Sequence, residues 1–391
     1  MAQGIADQVG LSYVDEDSTW GTVPASPTLQ NLRFTGESLK QDTDSVASRE
    51  IRSDRQVTDF IRTGVRANGS INFELSYGTY DDFMRAGLLS AAWTSPVTVI
   101  ATSAVDVTAA SNKFEPHTGT WTATPAAGTW IKTSGFSETG NNGYFKVASA
   151  TSGEIVVTCK NSTLANENAS AASITGGAYI VNGTTTADNS FSIERKHSDI
   201  ASVFEYWTGM MIPSFSMEVP ANGLITGTFD FLGKREYSAT ATIGTGYDTA
   251  TTTDVMNCID DVDAFFINEA AYDITGFNFA TNNNLRERLE VATLGAVSVG
   301  AGKFGVSGGI KAYFEDNTEL DYYRDWTTTN CALSVTKSSN TYIFDWPTMK
   351  VKAGSAPATG ENTDLIADME FESYMDSAES ITMRVSKFPA A

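Results

Sequence analysis

Residues 67–86 read ANGSINFELSYGTYDDFMRA, and residues 306–325 read VSGGIKAYFEDNTELDYYRD. Laid over each other without a gap, they share Gly69 with Gly308, Ile71 with Ile310, Thr79 with Thr318, Asp82 with Asp321 and Arg85 with Arg324. In the first stretch Ile71, Phe73, Leu75 and Tyr77 alternate with Ser70, Asn72, Glu74 and Ser76. That period of two marks a strand with one buried face. The second stretch alternates more loosely, through Ile310, Ala312 and Phe314. A Thr-x-x-Asp follows each strand. Thr79 with Asp82, and Thr318 with Asp321, are therefore candidate caps of a short helix, because a threonine N-cap and an acid at N3 satisfy free amides and suit the dipole. The helices are expected at about residues 80–89 and 319–325.

The match extends both ways. TGESL (35–39) faces TGFNF (275–279), FEYWTGMMI (204–212) faces IFDWPTMKV (343–351), and LITGTFDF (224–231) faces DLIADMEF (364–371). Trp207 thereby meets Trp346, and Met210 meets Met349. Each copy reads as strands, a short helix, then more strands. The helix and the Trp-containing strand lie more than a hundred residues apart in the first copy and about twenty apart in the second. The surplus, roughly 95–185, is rich in Ala, Ser, Thr and Gly. Short strands punctuate it (GTWIKTSGF, GYFKVASAT, GEIVVTC), with Asn142-Gly143 as a hairpin signal. The chain is thus expected to be mainly β. Its parts would be an N-terminal arm at 1–30, a first unit at 31–94 and 186–240, a small β domain inserted at 95–185, and a second unit at 241–391. The stretch 236–255, rich in Thr, Ala and Gly, would join the copies or reach outward.

The 391 residues carry 26 Lys and Arg against 47 Asp and Glu, a formal charge of −21. Gripping phosphates needs a basic surface, so nucleic-acid binding of that kind is excluded. Nearly all the acidity lies outside the insert. Three cysteines without a CxxC pair argue against a disulfide framework. The N-terminus MAQGIADQVG has neither a basic nor an apolar signal region, and no apolar run approaches a membrane span. Synthesis in a cytoplasm, with no membrane, is the expectation.

No catalytic, cofactor-binding or metal-binding residue is assigned. His117 and His197 are the only histidines; the first has no evident partner and the second sits among charges. Cys159 ends a strand pattern and reads as a structural thiol. Asp15-Glu16-Asp17 and Asp260-Asp261-Val262-Asp263 lack an EF-hand spacing and read as solvated or lumen-facing charge. Asn161-Ser162-Thr163 carries little weight without secretion. One basic stretch stands out: SREIRSDRQVTDFIRTGVR, with Arg49, Arg52, Arg55, Arg62 and Arg66. Acids interleave it and no aromatic platform accompanies it. These arginines are therefore candidate inter-subunit contacts. The matching stretch NNNLRERLEVATLGAVSVG keeps only Arg286 and Arg288.

The run from WGTVPASPTLQNLRFTGESLKQDT to ELSYGTYDDFMRAGL resembles the tail tube proteins of long, non-contractile-tailed bacteriophages. The features that carry the resemblance are Trp20-Gly21-Thr22 with Pro24, Leu32–Leu39, Ile51–Arg55 and Glu74–Asp82. It covers most of the first 240 residues; beyond them the internal repeat carries the argument. The resemblance implies a β-sandwich or barrel unit with a flanking helix, six units to a ring, and rings stacked into a tube in the virion tail. Such a tube assembles in the host bacterial cytoplasm around a tape-measure protein. It meets terminator and distal tail proteins and conducts double-stranded DNA without holding it, as acidic walls would favour. Glu74, Glu218, Asp230, Glu370 and Glu372 lie on the polar phase of their strands and are candidates for the lumen or the inter-ring faces. A doubled chain implies three chains to a ring with pseudo-sixfold symmetry. Rival readings are a hub or terminator ring, a β-rich adhesin using Trp121, Trp130, Tyr144 and Phe145 as a sugar platform, and a β-rich hydrolase.

Overall fold

The computed structural model describes residues 4–16, 19–99, 104–158, 163–169, 172–358 and 360–390. Asp17, Cys159, Asn161 and Ser162 lie outside them, as does the side chain of Thr318. The first unit carries β1 (Val9–Asp15), β2 (Thr28–Leu32), β3 (Gly36–Glu37), β4 (Lys40–Ala47), β5 (Phe60–Glu74) and α1 (Asp81–Gly87). After the insert come β6 (Ala178–Val181), β7 (Phe191–His197), β8 (Phe204–Met210), β9 (Phe215–Pro220), β10 (Thr226–Gly233), β11 (Arg235–Ala239) and β12 (Gly246–Asp248). The second unit begins with β13 (Val262–Ile267), β14 (Ala270–Ala271), β15 (Gly276–Asn282), β16 (Arg286–Leu289), β17 (Ala296–Gly300) and β18 (Gly305–Tyr313). It continues through α2 (Thr318–Arg324), β19 (Thr328–Lys337), β20 (Asn340–Ser355), β21 (Ile366–Ser373) and β22 (Arg384–Phe388).

One pairing scheme occurs in both units. In one layer β7 lies between β1 and β8, with β11 beyond; likewise β19 lies between β13 and β20, with β22 beyond. In the other layer β5 lies between β3 and β10, with β9 beyond. There β18 lies between β15 and β21, with the C-terminal part of β20 beyond. Alternating apolar side chains fill the space between layers. Phe229 and Phe231 of the first unit clasp Phe83 of α1 against Phe191, and Phe277 of the second unit packs on Trp346 and Phe371. Such interdigitation of two inner faces is how a sandwich buries its area.

Three boundaries differ from expectation. The N-terminal segment is not a free arm: β1 pairs with both β7 and β2, and Leu11 and Tyr13 are buried. Apolar alternation in GLSYV outweighs the acids that follow it. The 236–255 stretch is not an open connector either. It contains most of β11 and all of β12, which pairs in parallel with β2, and Thr253 donates its hydroxyl to the Tyr77 carbonyl at 2.7 Å. The insert's eight-stranded sheet runs from the Val97–Val99 strand to the Ser173–Gly176 strand, and β6 then leaves it to pair with β22 of the second unit. Asn142-Gly143 is not a two-residue turn: it opens the Gly143–Ala150 strand, and the Asn142 amide closes a longer loop onto the Phe136 carbonyl at 2.9 Å.

Candidate functional site

The layer built on β5 in the first unit and the layer built on β18 in the second, here the inner layers (those built on β7 and β19 being the outer ones), form one sheet. β9, the last inner strand of the first unit, pairs with β15, the first of the second, setting Met217 opposite Phe279, Glu218 opposite Asn278 and Val219 opposite Phe277. Antiparallel registry then carries side chains of one phase across many strands. Glu74, Thr226, Glu218, Asn278, Gly309 and Glu370 stand in one row across β5, β10, β9, β15, β18 and β21. The next row holds Asn72, Thr228, Ser216, Ala280, Ser307 and Glu372. Asp230 sits opposite Ser70 on the same phase.

This face is concave and polar. Its lining includes Asn72, Glu218, Asn278, Lys311, Asp368 and Glu370, while the opposite phase (Phe73, Phe229, Met217, Phe277, Met369) is buried. All five acids singled out from the sequence therefore share one side of one sheet. Asp368, which sequence reading passed over, lies on the phase of Glu370 and Glu372, and the alternation of DLIADMEF already carried that signal. Lys311 meets Asp368 at 3.7 Å and Lys352 meets Glu372. Glu74, Glu218, Asp230 and Glu370 have no cationic partner among the described residues. At a strand spacing of about 4.8 Å, Glu74 and Glu218 are about 10 Å apart, beyond the Debye length at physiological salt, so the row costs little self-repulsion.

The five arginines ride the hairpin made by β4, its loop and β5. Arg66 pairs with Asp44 at 3.7 Å across the hairpin and Arg52 with Asp54 at 2.8 Å. Arg49, Arg55 and Arg62 make no ion pair among the described residues, and Ile51 beside them is fully exposed.

The proposed helix caps are not caps. Tyr80 is the N-cap of α1 and Asn317 that of α2, neither with a side-chain bond. The Thr79 hydroxyl instead meets those of Ser76 at 2.6 Å and of Thr251. Asp82 accepts from the Tyr13 hydroxyl at 3.0 Å and faces Arg85 at 3.8 Å; Asp321 pairs with Arg324 at 3.2 Å. Ser76, Arg85 and Arg324 are neighbours three residues away, whereas Thr251 and Tyr13 come from a distant loop and a distant strand. Competing local contacts and tertiary packing together displace the cap. Asp81 is the acid that binds the units together: it accepts from Tyr342 and from Lys387, while the Gly78 amide donates to the Tyr342 oxygen at 2.8 Å. Burial, then Asp81, pushes the Tyr342 phenol well above its usual range.

Other sequence candidates resolve as structure. Glu16 is buried, not solvated: it accepts from the amides of Gly21 and Gly209 at 2.6 and 2.7 Å and the hydroxyls of Ser190 and Ser192 at 2.7 and 2.8 Å. Asp261 pairs with Lys337 at 2.9 Å, and burial pushes the Asp263 carboxyl up despite its bonds from Thr336 and Ser334. Among the described residues no cluster suited to a metal ion occurs. His197 lies 3.5 Å from Glu205, and His117 does have partners, in Asp106 and Asn168. The sugar platform does not exist: Trp121, Trp130 and Phe145 are buried, and Tyr144 packs on Phe388.

Two β-sandwich units thus share one sheet, and a polar concave face runs through both. The family model described as phage tail tube protein matches residues 6–373, and the chain belongs to that family. A search of the curated proteins finds no match. Among the described residues no helix is long and apolar enough to cross a membrane.

Proposed function

We propose that this chain polymerises into stacked rings of three chains, each ring showing six similar units, which form the tube of a long non-contractile phage tail. The observation that carries the reading is the β9–β15 seam. It joins two units of one pairing scheme side by side in a single sheet, as neighbours in a ring would join. The edges left over, at β3 and at the end of β20, would be completed by the next chain, which also removes the hazard of open strand edges. Closing the ring wraps the polar face inward. Glu74, Glu218, Asp230, Glu370 and Glu372 then form an acidic lumen that surrounds the tape-measure protein during assembly and lets DNA slide. The role is structural, and terminator and distal tail proteins would bind the tube ends.

Electron microscopy of the purified chain at rising concentration tests this. Class averages down the axis should show three chains and six lobes per ring. Rings of six chains would keep the tube and overturn the trimer, while closed rings that never stack would favour a terminator or hub.

A further inference from the structure

The two units differ in what covers the end of their helix. Just past α1, Leu89 is buried in one apolar cluster with Met211 and with Val299 of β17. Leu285 and Ala301, at the base of the β16–β17 hairpin, pack on that cluster together with Trp20 and Leu232. Asn283 at that base donates its amide to the Gly87 carbonyl at 2.8 Å, and a Cβ on Gly295 would stand 2.8 Å from the Val65 carbonyl oxygen. The second unit's hairpin thus lies on the first unit and seals the end of its helix.

In the gap-free repeat, Met84, Gly87 and Leu89 correspond to Tyr323, Trp326 and Thr328. Met84 is 1 % exposed, whereas Tyr323 is 40 % and Trp326 52 % exposed. The Thr328 hydroxyl lies 3.0 Å from that of Tyr374, so Tyr374 and Met375, both exposed, extend the same patch. Lys350 donates to the Trp326 carbonyl at 2.9 Å, and its ammonium lies over one face of the indole, 5.0 Å from the ring centroid. Meanwhile the β4–β5 hairpin, at the same place in the first unit as β16–β17 in the second, has Phe60 71 % and Ile61 55 % exposed. Arg62, beside them, has no ion pair among the described residues, and Asp325, beside Trp326, is exposed.

We propose that the β4–β5 hairpin of one chain docks on the Tyr323, Trp326, Tyr374 and Met375 patch of a second copy. Between chains it repeats the seat that β16–β17 takes on Leu89 within the chain. The inference rests on the ring reading above and names its second contact after the sheet edge. Aromatic anchors seated by a neighbouring hairpin, with Arg62 against Asp325 at the rim, are the composition of an interface hot spot.

The test uses the full chain and two variants, Phe60→Asp with Ile61→Asp, and Trp326→Ala with Tyr374→Ala, followed by sedimentation velocity and microscopy. All four side chains are exposed or at the patch, so the monomers should melt as the parent does. Each variant should raise the concentration at which rings form at least about tenfold. Hydroxyl-radical footprinting of the parent, which needs no substitution, should show Trp326 and Met375 protected in rings and open in the monomer. Variants that assemble like the parent, or equal oxidation in both states, overturn the docking and leave the ring reading standing. A parent chain that stays monomeric at every concentration overturns both.

Discussion

Gly69 and Gly308 occupy one position of the two units, and the neighbouring strand crowds both. A Cβ on Gly69 would lie 2.6 Å from the Ser38 carbonyl oxygen, and one on Gly308 would lie 2.2 Å from that of Asn278. Ser38 and Asn278 are themselves equivalent, in TGESL and TGFNF. The shared glycine is thus a demand of strand approach. Gly308→Ala should force β15 and β18 apart and lower stability by about 1–3 kcal/mol, as overpacking does; thermal unfolding measures it, and an unchanged melting temperature would refute the crowding.

The insert is held by charge as well as by Trp130. Lys146 meets Asp345 at 3.0 Å, and Arg384 meets Glu379 at 2.7 Å and Asp345 at 3.5 Å, with Asp345 almost wholly buried. Lys146→Met should cost about 3 kcal/mol, the low end for breaking a buried pair, because Arg384 still faces the carboxylate. Adding Asp345→Asn should recover part of the loss, and limited proteolysis should cut the insert faster in the single variant than in the double one.

Acid should loosen the first unit's outer layer through Glu205. Burial alone would raise its carboxyl, but Arg195, with His197 behind it, holds it below its ordinary 4.5. A lowered folded value means the stabilisation is full above the unfolded value and is lost as pH falls through the folded one. Glu205→Gln should therefore be less stable than the parent at pH 7 and show a flatter loss below about 4.5. Urea midpoints across pH 3–7 measure this; parallel curves would sink it.

If the concave face lines the lumen as proposed, its charge should set the behaviour toward DNA. Parent tubes should retain no duplex, whereas tubes carrying Glu218→Lys with Glu370→Lys should bind it at low salt and release it as salt rises. Filter binding of labelled duplex across a salt series is the measurement, and indifference to the reversal would remove those acids from the DNA path.

Several features were legible in the residues. Period two in SINFELSY and DLIADMEF marks which side chains share a face, because pleat geometry is local. The insert showed as unequal spacing between repeated segments. Cap signals misled: Thr79 and Asp82 satisfy a sequence rule, yet the hydroxyls of Ser76, Thr251 and Tyr13 reach them first. The N-terminal segment misled too, since its acids drew attention from Leu11 and Tyr13.

By itself, then, the sequence determined a mainly β chain, a twice-written unit, a low density of basic charge and the phase of its acids, all read from composition, local periodicity or the comparison of one stretch with another. Only the tertiary structure decided that β9 meets β15 in one sheet, that β6 and Lys146 bind the insert to the second unit, and that Leu89 is covered while Trp326 is not. Those are choices between edges and faces far apart in the chain. Local periodicity is the same whichever partner a strand finds, and the burial of distant side chains against one another picks the partner.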